Sequence, residues 1–189
     1  MSREVAVMQA FARSILEHPH DFEWSLQGFG MLRSYVGRDK QFRLNVWHSE
    51  FQAPNVSIIH NHPWDFRSWI LAGRFINVRY RFGTGYPYKA MLIEPGDKGG
   101  PVGEVQTAIM CEMPQEDYYP GDAYEQTWDE VHASYYLDGT VTINDRTGHR
   151  NADRAMVYWR EGDWVDAKPR IATRDEVAFA ASEALGRFT

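Results

Sequence analysis

Residues 58–73 read I-I-H-N-H-P-W-D-F-R-S-W-I-L-A-G and place His60 and His62 at the end of an apolar run. Residues two apart in an extended strand point to the same face of a sheet. If residues 56–62 form a strand, both imidazoles face one point, which is half of a typical transition-metal site. Asp65 follows three residues after His62, within reach of the same metal or of a histidine N–H.

A third histidine, His132, extends this pattern. It follows the Pro120-Gly121 turn and lies near the start of a strand-like segment, V-H-A-S-Y-Y. The alternative for the first pair is two polar residues that end an edge strand. A second H-x-H pair, His18 and His20, has a proline between its members and follows a helical pattern, so it is typical of a solvated turn.

The composition is that of a folded chain with an acidic balance. Of 189 residues, 43% are hydrophobic and 14% are aromatic, which is enough for a core. The net charge of −6, with Lys and Arg scattered, argues against nucleic acid or an anionic membrane surface as the partner. No apolar segment reaches membrane-spanning length and the first residues lack a signal-peptide core, so we expect a cytoplasmic protein. Cys111 is the single cysteine, which excludes an intramolecular disulfide, and its apolar setting predicts burial.

Periodicity predicts one domain, residues 1–189, with a helix near each end. Apolar residues recur at helical spacing over residues 3–17 and over residues 174–186, where Thr173 is the N-cap and Glu176 its capping-box partner. Between the helices, seven to ten short strands with glycine and proline turns are predicted, with a core at about residues 40–165. This pattern is typical of an all-β sandwich or barrel.

Individual segments carry more detailed expectations. Strands are predicted at residues 41–47, 56–62, 69–82, 89–94, 104–113, 130–136, 140–144 and 155–159. Residues 48–54 indicate a loop, and so does the glycine-rich stretch 83–103 apart from its strand. Gly73 marks a turn or bulge, and Asp138-Gly139 between two alternating runs predicts a hairpin.

Taken together, these motifs resemble those of the cupin superfamily, whose jelly-roll barrel (a double-stranded β-helix) binds a metal through two sequence motifs. The first, H-x-H followed by a carboxylate and then a glycine, matches His60, His62, Asp65 and Gly73. The second, P-x-G followed by a histidine, matches Pro120-Gly121 and His132, with the proline directly beside the glycine. The resemblance covers about residues 40–165. The family's usual acid is a glutamate one or two places later than the aspartate found in this chain.

The resemblance implies a metal held by His60, His62 and His132, with Asp65 as a fourth ligand or as an acceptor that orients an imidazole. Three imidazoles leave two or three positions open on octahedral Fe(II), Mn(II) or Ni(II), and one on tetrahedral Zn(II). We expect Fe(II). The H-x-D…H triad of 2-oxoglutarate oxygenases is not matched because position 62 is a histidine, which argues against 2-oxoglutarate as co-substrate.

Polar and aromatic residues near these motifs are candidates for contacts to a small ligand. The candidate catalytic residues are Arg67, Tyr124 and Tyr136. An inward arginine binds a carboxylate through two hydrogen bonds, and Tyr136 lies four residues after His132, on the same side of a strand. Further candidates are Arg79, Tyr80 and Trp69. For each of them the alternative is ordinary packing or a solvated charge, and His48 and His149 are expected in loops.

The function implied by the resemblance is enzymatic. We expect a mononuclear non-haem iron oxidoreductase of the oxygenase or dioxygenase type, acting with O₂ on a small substrate that bears a carboxylate or an amine. The alternatives are a metal-dependent isomerase or lyase and a non-enzymatic cupin that binds a small molecule. By analogy with the family, pairing of edge strands into a homodimer is a further expectation.

Overall fold

A computed structural model of the chain describes residues 2–54, 56–94, 101–146, 155–160, 162 and 168–188. The described residues form two α-helices and two antiparallel sheets. The helices are α1 Arg3–Glu17 and α2 Arg174–Leu185. The mostly β fold with a helix near each end is therefore confirmed. Neither helix in this part of the chain is long and apolar enough to cross a membrane.

Thirteen strands make up the two sheets within the described residues. In chain order they are β1 Ser25–Gln27, β2 Phe29–Val36, β3 Phe42–Gln52, β4 Ile59–His60, β5 Phe66–Ala72, β6 Phe75–Ile93, β7 Pro101–Glu112, β8 Glu116–Tyr118, β9 Ala123–Gln126, β10 Val131–Tyr136, β11 Thr140–Asp145, β12 Met156–Trp159 and β13 Arg170–Ile171. The first sheet has the order β13-β1-β2-β3-β11-β5-β9, and the second has the order β10-β4-β12-β6-β7 with β8 paired to β6. The β structure therefore extends beyond the predicted core of residues 40–165, because β1 and β2 precede it and β13 follows it.

The two helices cover the outer face of the first sheet. The buried face of α1 includes Val5, Ile15 and Leu16, which share one apolar cluster with Trp69 and Leu71 of β5. At the start of α2 the predicted capping box is present, since the Thr173 hydroxyl accepts from the Glu176 N–H and the Glu176 carboxylate accepts from the Thr173 N–H. These caps satisfy backbone donors that the first helical turn leaves unpaired.

The inner face of the first sheet packs against the second sheet. In β5 the alternate residues Phe66 and Ile70 belong to a second apolar cluster, together with Phe75 of β6 in the other sheet. Because successive side chains of a strand point to opposite faces, β5 is buried on both sides, against the helices and against the second sheet. This explains the apolar run over residues 69–72.

Strand β6 is much longer than predicted. Residues 83–93 continue it, and residues 101–112 form its partner β7, where loops had been expected apart from strands at 89–94 and 104–113. Two of the glycines that suggested loops lie at a bulge: Gly83 and Gly85 have φ of +96° and +110°, and the pairing with β7 shifts between Phe82 and Tyr86. Glycine permits this irregularity inside a strand. Residues 95–100 of the same prediction lie outside the described residues.

Two tight turns carry the chain from one sheet to the other. Gly73 separates β5 of the first sheet from β6 of the second, and Gly139 separates β10 of the second from β11 of the first. The hairpin predicted at Asp138-Gly139 is wrong in this respect: the turn is present, with the Thr140 N–H donating to Leu137 O at 3.0 Å, but its strands pair elsewhere. Burial of both inner faces, rather than local turn chemistry, decides the pairing.

Candidate metal centre

Strand pairing brings the three histidines together. The short strand β4 lies between β10 and β12, and His60 of β4 is the direct cross-strand partner of His132 in β10. Residues opposite each other on antiparallel strands have side chains in contact. His62 lies two residues past His60, just beyond the strand, in a segment held by two hydrogen bonds between Asn61 and the Met156 backbone, at 2.6 and 3.1 Å. The strand predicted at residues 56–62 is therefore shorter, yet both imidazoles face one site.

The three rings converge with metal-like spacing. One ring nitrogen from each of His60, His62 and His132 lies within 4.8 Å of the other two, and the two Nε2 atoms of His62 and His132 are 2.9 Å apart. With metal–nitrogen bonds of about 2.0–2.1 Å, neighbouring ligands are separated by about 3 Å at 90° and about 3.3 Å in a tetrahedron. The observed spacing of His62 and His132 fits two ligands on one ion.

Hydrogen bonds on the far side of two rings fix which nitrogen faces the site. The Nδ1 atom of His60 is 2.9 Å from Ile58 O, and the Nδ1 atom of His132 is 2.7 Å from Asn77 Oδ1. Both partners are acceptors, so each Nδ1 carries the proton and each Nε2 presents a lone pair. A carbonyl partner behind a ligand imidazole is the usual support of a metal site.

Burial keeps the rings neutral at physiological pH. It lowers the pKa of His60 to about 4 and the pKa values of His62 and His132 well below the ordinary value. The charge of Arg43 adds to the effect at all three rings, and neighbouring imidazoles add to it at His62 and His132. A neutral imidazole is the form that binds a metal. The donor set thus fits a divalent transition metal, and His60, His62 and His132 are the residues that would hold it.

The site opens into a cavity of about 180 Å³ between the sheets. Its apolar wall is mainly aromatic: Phe29, Met31, Trp47, Trp64, Phe66 and Tyr124. Trp64 stacks on the His62 ring with 4.7 Å between centroids, and Phe66 meets the same ring edge-on at 4.8 Å. These contacts orient His62 and keep bulk water from its buried side.

An arginine that the sequence analysis did not select lies in the same cavity. Arg43 is buried, lines the cavity and stacks over the Trp64 ring at 5.1 Å. Burial lowers the pKa of its guanidinium to about 10, which still leaves it charged at neutral pH. The sequence of β3 contained one indication that Arg43 faces the interior. Trp47 lies on the same side of the strand as Arg43 and Asn45. An aromatic residue on the polar side indicates an enclosed polar face.

Asp65 is not one of the converging groups. Its Oδ1 atom accepts a hydrogen bond from the Trp128 N–H at 2.8 Å, and the histidine cluster does not include its carboxylate. The role of Asp65 as a fourth ligand stays a prediction without geometric support. The aspartate instead ties the segment after His62 to the segment before β10.

Arg67 lies on the opposite face of β5 from the cavity. Its side chain is 47% exposed, pairs with Glu4 of α1 at 3.7 Å and stacks over Trp69. Because Phe66 and Ser68 face inward, the residue between them must face the helices. This position does not bring Arg67 to the histidines. Arg79, the other arginine considered, is bound to Glu116 at 3.1 Å.

The two candidate tyrosines have different surroundings. Tyr124 is buried in the cavity wall, where burial raises the pKa of its phenol. Tyr136 donates its hydroxyl proton to Phe29 O at 3.1 Å and packs on Trp47, so it braces β2 instead of lining the cavity. Of the three candidate catalytic residues, the structure brings Tyr124 alone to the cavity.

His48 and Cys111 lie in surroundings that differ from those predicted. His48 was expected in a loop, but it is half-buried in β3 near Asp138 and Glu183. Cys111 is half-exposed rather than buried, and its sulfur lies 3.4 Å from the Thr84 hydroxyl. His149 lies outside the described residues.

No family match identifies the chain. A comparison with known protein families finds none that fits it, and a comparison with curated proteins finds none significantly similar. Functional conclusions therefore depend on the geometry of the site itself.

Proposed function

We propose that this protein is a metal-dependent enzyme with a cupin-type jelly roll, in which His60, His62 and His132 hold one divalent ion. The observation that supports this most is the convergence of three neutral imidazoles on one point beside a cavity between the sheets. Buried histidines without a charged partner are otherwise an unfavourable use of core volume, since their polar nitrogens lose hydration. A shared cation compensates that loss.

The reaction we favour is oxygenation of a small substrate bearing a carboxylate or an amine by a mononuclear non-haem Fe(II) centre. Three nitrogen ligands leave two or three positions free, and Fe(II) bound there would supply the redox chemistry that O₂ requires. The absence of a carboxylate from the described histidine cluster is consistent with a reaction that does not use 2-oxoglutarate.

The chain's own residues have three roles in this proposal. Ile58 O and Asn77 Oδ1 hold the Nδ1 protons of His60 and His132, which directs both Nε2 lone pairs to the centre. Trp64 and Phe66 shield His62 from water. The cavity volume of about 180 Å³ favours a small molecule as the substrate.

Metal content after anaerobic purification, together with O₂ uptake, tests this function. Wild-type protein and the exposed-histidine variant His20→Ala should each bind about one Fe(II) per chain and consume O₂ with an accepted substrate. His132→Ala should lose both properties, because one of three ligands and the Asn77 contact are removed. Full metal binding by His132→Ala, or none by wild type after addition of Fe(II), Mn(II), Ni(II) and Zn(II), would falsify the proposal.

A second candidate is a Lewis-acid enzyme, such as an isomerase or lyase. The all-nitrogen ligand set favours it, because three imidazoles with one open position are a common arrangement for catalytic Zn(II). Zn(II)-loaded protein would then convert substrate without O₂. Tight small-molecule binding with no turnover under either condition would instead indicate a non-enzymatic binding protein.

A further inference from the structure

The cavity beside the histidines contains a positive charge that no described acidic residue pairs with. The Nε atom of Arg43 is buried without a hydrogen-bond partner, and no carboxylate in the described part of the chain pairs with this guanidinium. In the described part of the chain, the Arg43 guanidinium contacts the aromatic ring of Trp64. A buried arginine without an anion is costly, because it has lost water and gained no counter-charge.

Other groups around Arg43 keep the cavity positive. Arg33 and Arg146 also line it, and the side chain of Arg33 binds the neutral groups Ser25 Oγ and Gln27 Oε1 at 3.0 and 2.9 Å. Among the described lining residues Glu94 is the one acid, and it is exposed to solvent. This concentration of positive charge occurs in a chain whose net charge is −6, so it is a local feature of the cavity.

We propose that Arg43 binds the carboxylate of a small monoanionic substrate whose apolar body packs on the aromatic wall. A guanidinium matches a carboxylate through two parallel hydrogen bonds and compensates one unit of charge. Trp64 contacts the guanidinium and Phe29 lines the same cavity, and this apolar surface favours a hydrocarbon or aromatic body over a sugar.

The arrangement also orients the substrate. Arg43 lies on β3 of the first sheet, whereas His60 and His132 lie on β4 and β10 of the second. A ligand whose carboxylate is bound at Arg43 therefore directs its other end across the gap toward the three imidazoles. This last step rests on the proposed metal function, but anion binding at Arg43 does not.

Binding of probe anions to the metal-free protein tests the assignment. The probes are acetate, propionate and benzoate, with benzamide as the neutral analogue of benzoate, and inorganic phosphate as the competing anion. Tryptophan fluorescence reports binding because Trp64 and Trp47 line the cavity. We expect at least one carboxylate to bind in a 1:1 ratio, with benzamide and phosphate much weaker.

Three variants separate anchoring from general charge. Arg43→Met should weaken carboxylate binding about 100-fold, the loss expected for charge-assisted hydrogen bonds. Arg43→Lys should lose about tenfold, because it keeps the charge but not the paired donors. Arg67→Gln, which removes an exposed arginine on the other face of the sheet, should bind like wild type.

Thermal melting guards against misfolding of the variants. Arg43→Met should melt no lower than wild type without ligand, since it removes an unpaired buried charge. The carboxylate should raise the melting temperature of wild type and Arg67→Gln but not of Arg43→Met. If Arg43→Met does not fold, the loss of affinity in folded Arg43→Lys decides.

Several outcomes overturn the inference. These are no carboxylate binding below about 10 mM, equal binding of benzoate and benzamide, unchanged binding in both Arg43 variants, and preference for phosphate. If the carboxylate binds as expected while no metal does, the anchor stands and the metal function fails. If the metal binds and no carboxylate does, the metal function stands and the assignment of Arg43 as an anion anchor fails.

Discussion

At the residue scale, the candidate site depends on a few side chains whose partners lie far away in the sequence. His132 is useful as a ligand because its Nδ1–H donates to Asn77 Oδ1 in a different strand, with 2.7 Å between the two heavy atoms. Asn77 is completely buried, so its side chain cannot turn to solvent without breaking this contact. Sequence reasoning did not select Asn77, since one asparagine in an alternating strand has no distinguishing neighbour.

Replacing Asn77 tests this support. Asn77→Leu should lower the affinity for Fe(II) or Zn(II) by about 10–100-fold, the usual effect of losing the hydrogen-bond partner of a ligand histidine. Asn77→Asp keeps an acceptor at the same place and should retain most of the affinity. Competition titration with a metal indicator measures both, and equal affinities of Asn77→Leu and wild type would contradict the assigned role.

At the element scale, the turns between sheets and the helix caps decide how the strands are assembled. Gly73 has φ of +80°, and a Cβ atom there would lie 2.7 Å from the Cα of Thr140. The Thr140 hydroxyl also donates to Arg74 O and accepts from the Arg74 N–H, so this close approach joins the two crossing turns. The turn holds β5 and β6 in different sheets with the cavity between them.

Gly73→Ala should therefore destabilise the protein more than an alanine at a comparable open position. Gly103 has φ of +85°, and a Cβ atom there would have no described atom within 4 Å, so Gly103→Ala carries the φ penalty alone. We expect Gly73→Ala to lose at least about 1 kcal/mol more in the free energy of unfolding, the cost of overpacking. Urea denaturation of both variants measures the difference, and equal losses would count against the close packing.

The cap of α2 should give the protein a distinct acid response. The hydrogen bond from Arg170 lowers the pKa of Glu176 from its usual 4.5 to about 2, and the Thr173 contacts assist. A carboxyl whose pKa is lower in the folded state stabilises the fold above the unfolded pKa, and this contribution is lost as pH falls from about 4.5 to about 2. Glu176→Gln should thus cost about 1 kcal/mol at pH 7 and almost nothing near pH 2. Unfolding free energies across this range measure it, and a cost independent of pH would contradict the stabilisation of the Glu176 carboxylate by Arg170.

At the scale of the whole molecule, the cavity lies in the core that the two sheets share. The three histidines belong to β4, β10 and the segment after β4, whereas Arg43 and Tyr124 belong to the first sheet. Any ligand bound there contacts both layers and stabilises the folded chain, since the unfolded chain has no such site. The expected homodimer stays a prediction.

Metal binding should therefore raise the melting temperature of the entire fold. At a free metal concentration 100 times the dissociation constant, linkage contributes about 2.7 kcal/mol, or roughly 5–10 °C for a domain of this size. Calorimetry with and without chelator measures the shift for wild type and for His132→Ala. The variant should show almost no shift, and an equal shift in both proteins would place the metal elsewhere.

The sequence by itself was sufficient for the local features: both helices and the Thr173 cap, most of the strands, and the choice of His60, His62 and His132 as partners. The helices, the cap, the strands and the H-x-H pair follow from periodicity and from short-range geometry, which are properties of neighbouring residues. His132 was joined to that pair through the resemblance of both segments to the two cupin motifs. Only the tertiary structure decided that His132 pairs across from His60, that Gly139 separates two sheets, that Arg67 faces the helices and that Arg43 faces the cavity. Strand pairing and the inward face of a doubly buried sheet are set by contacts between distant segments, and a pattern of alternation is the same whichever face is turned inward.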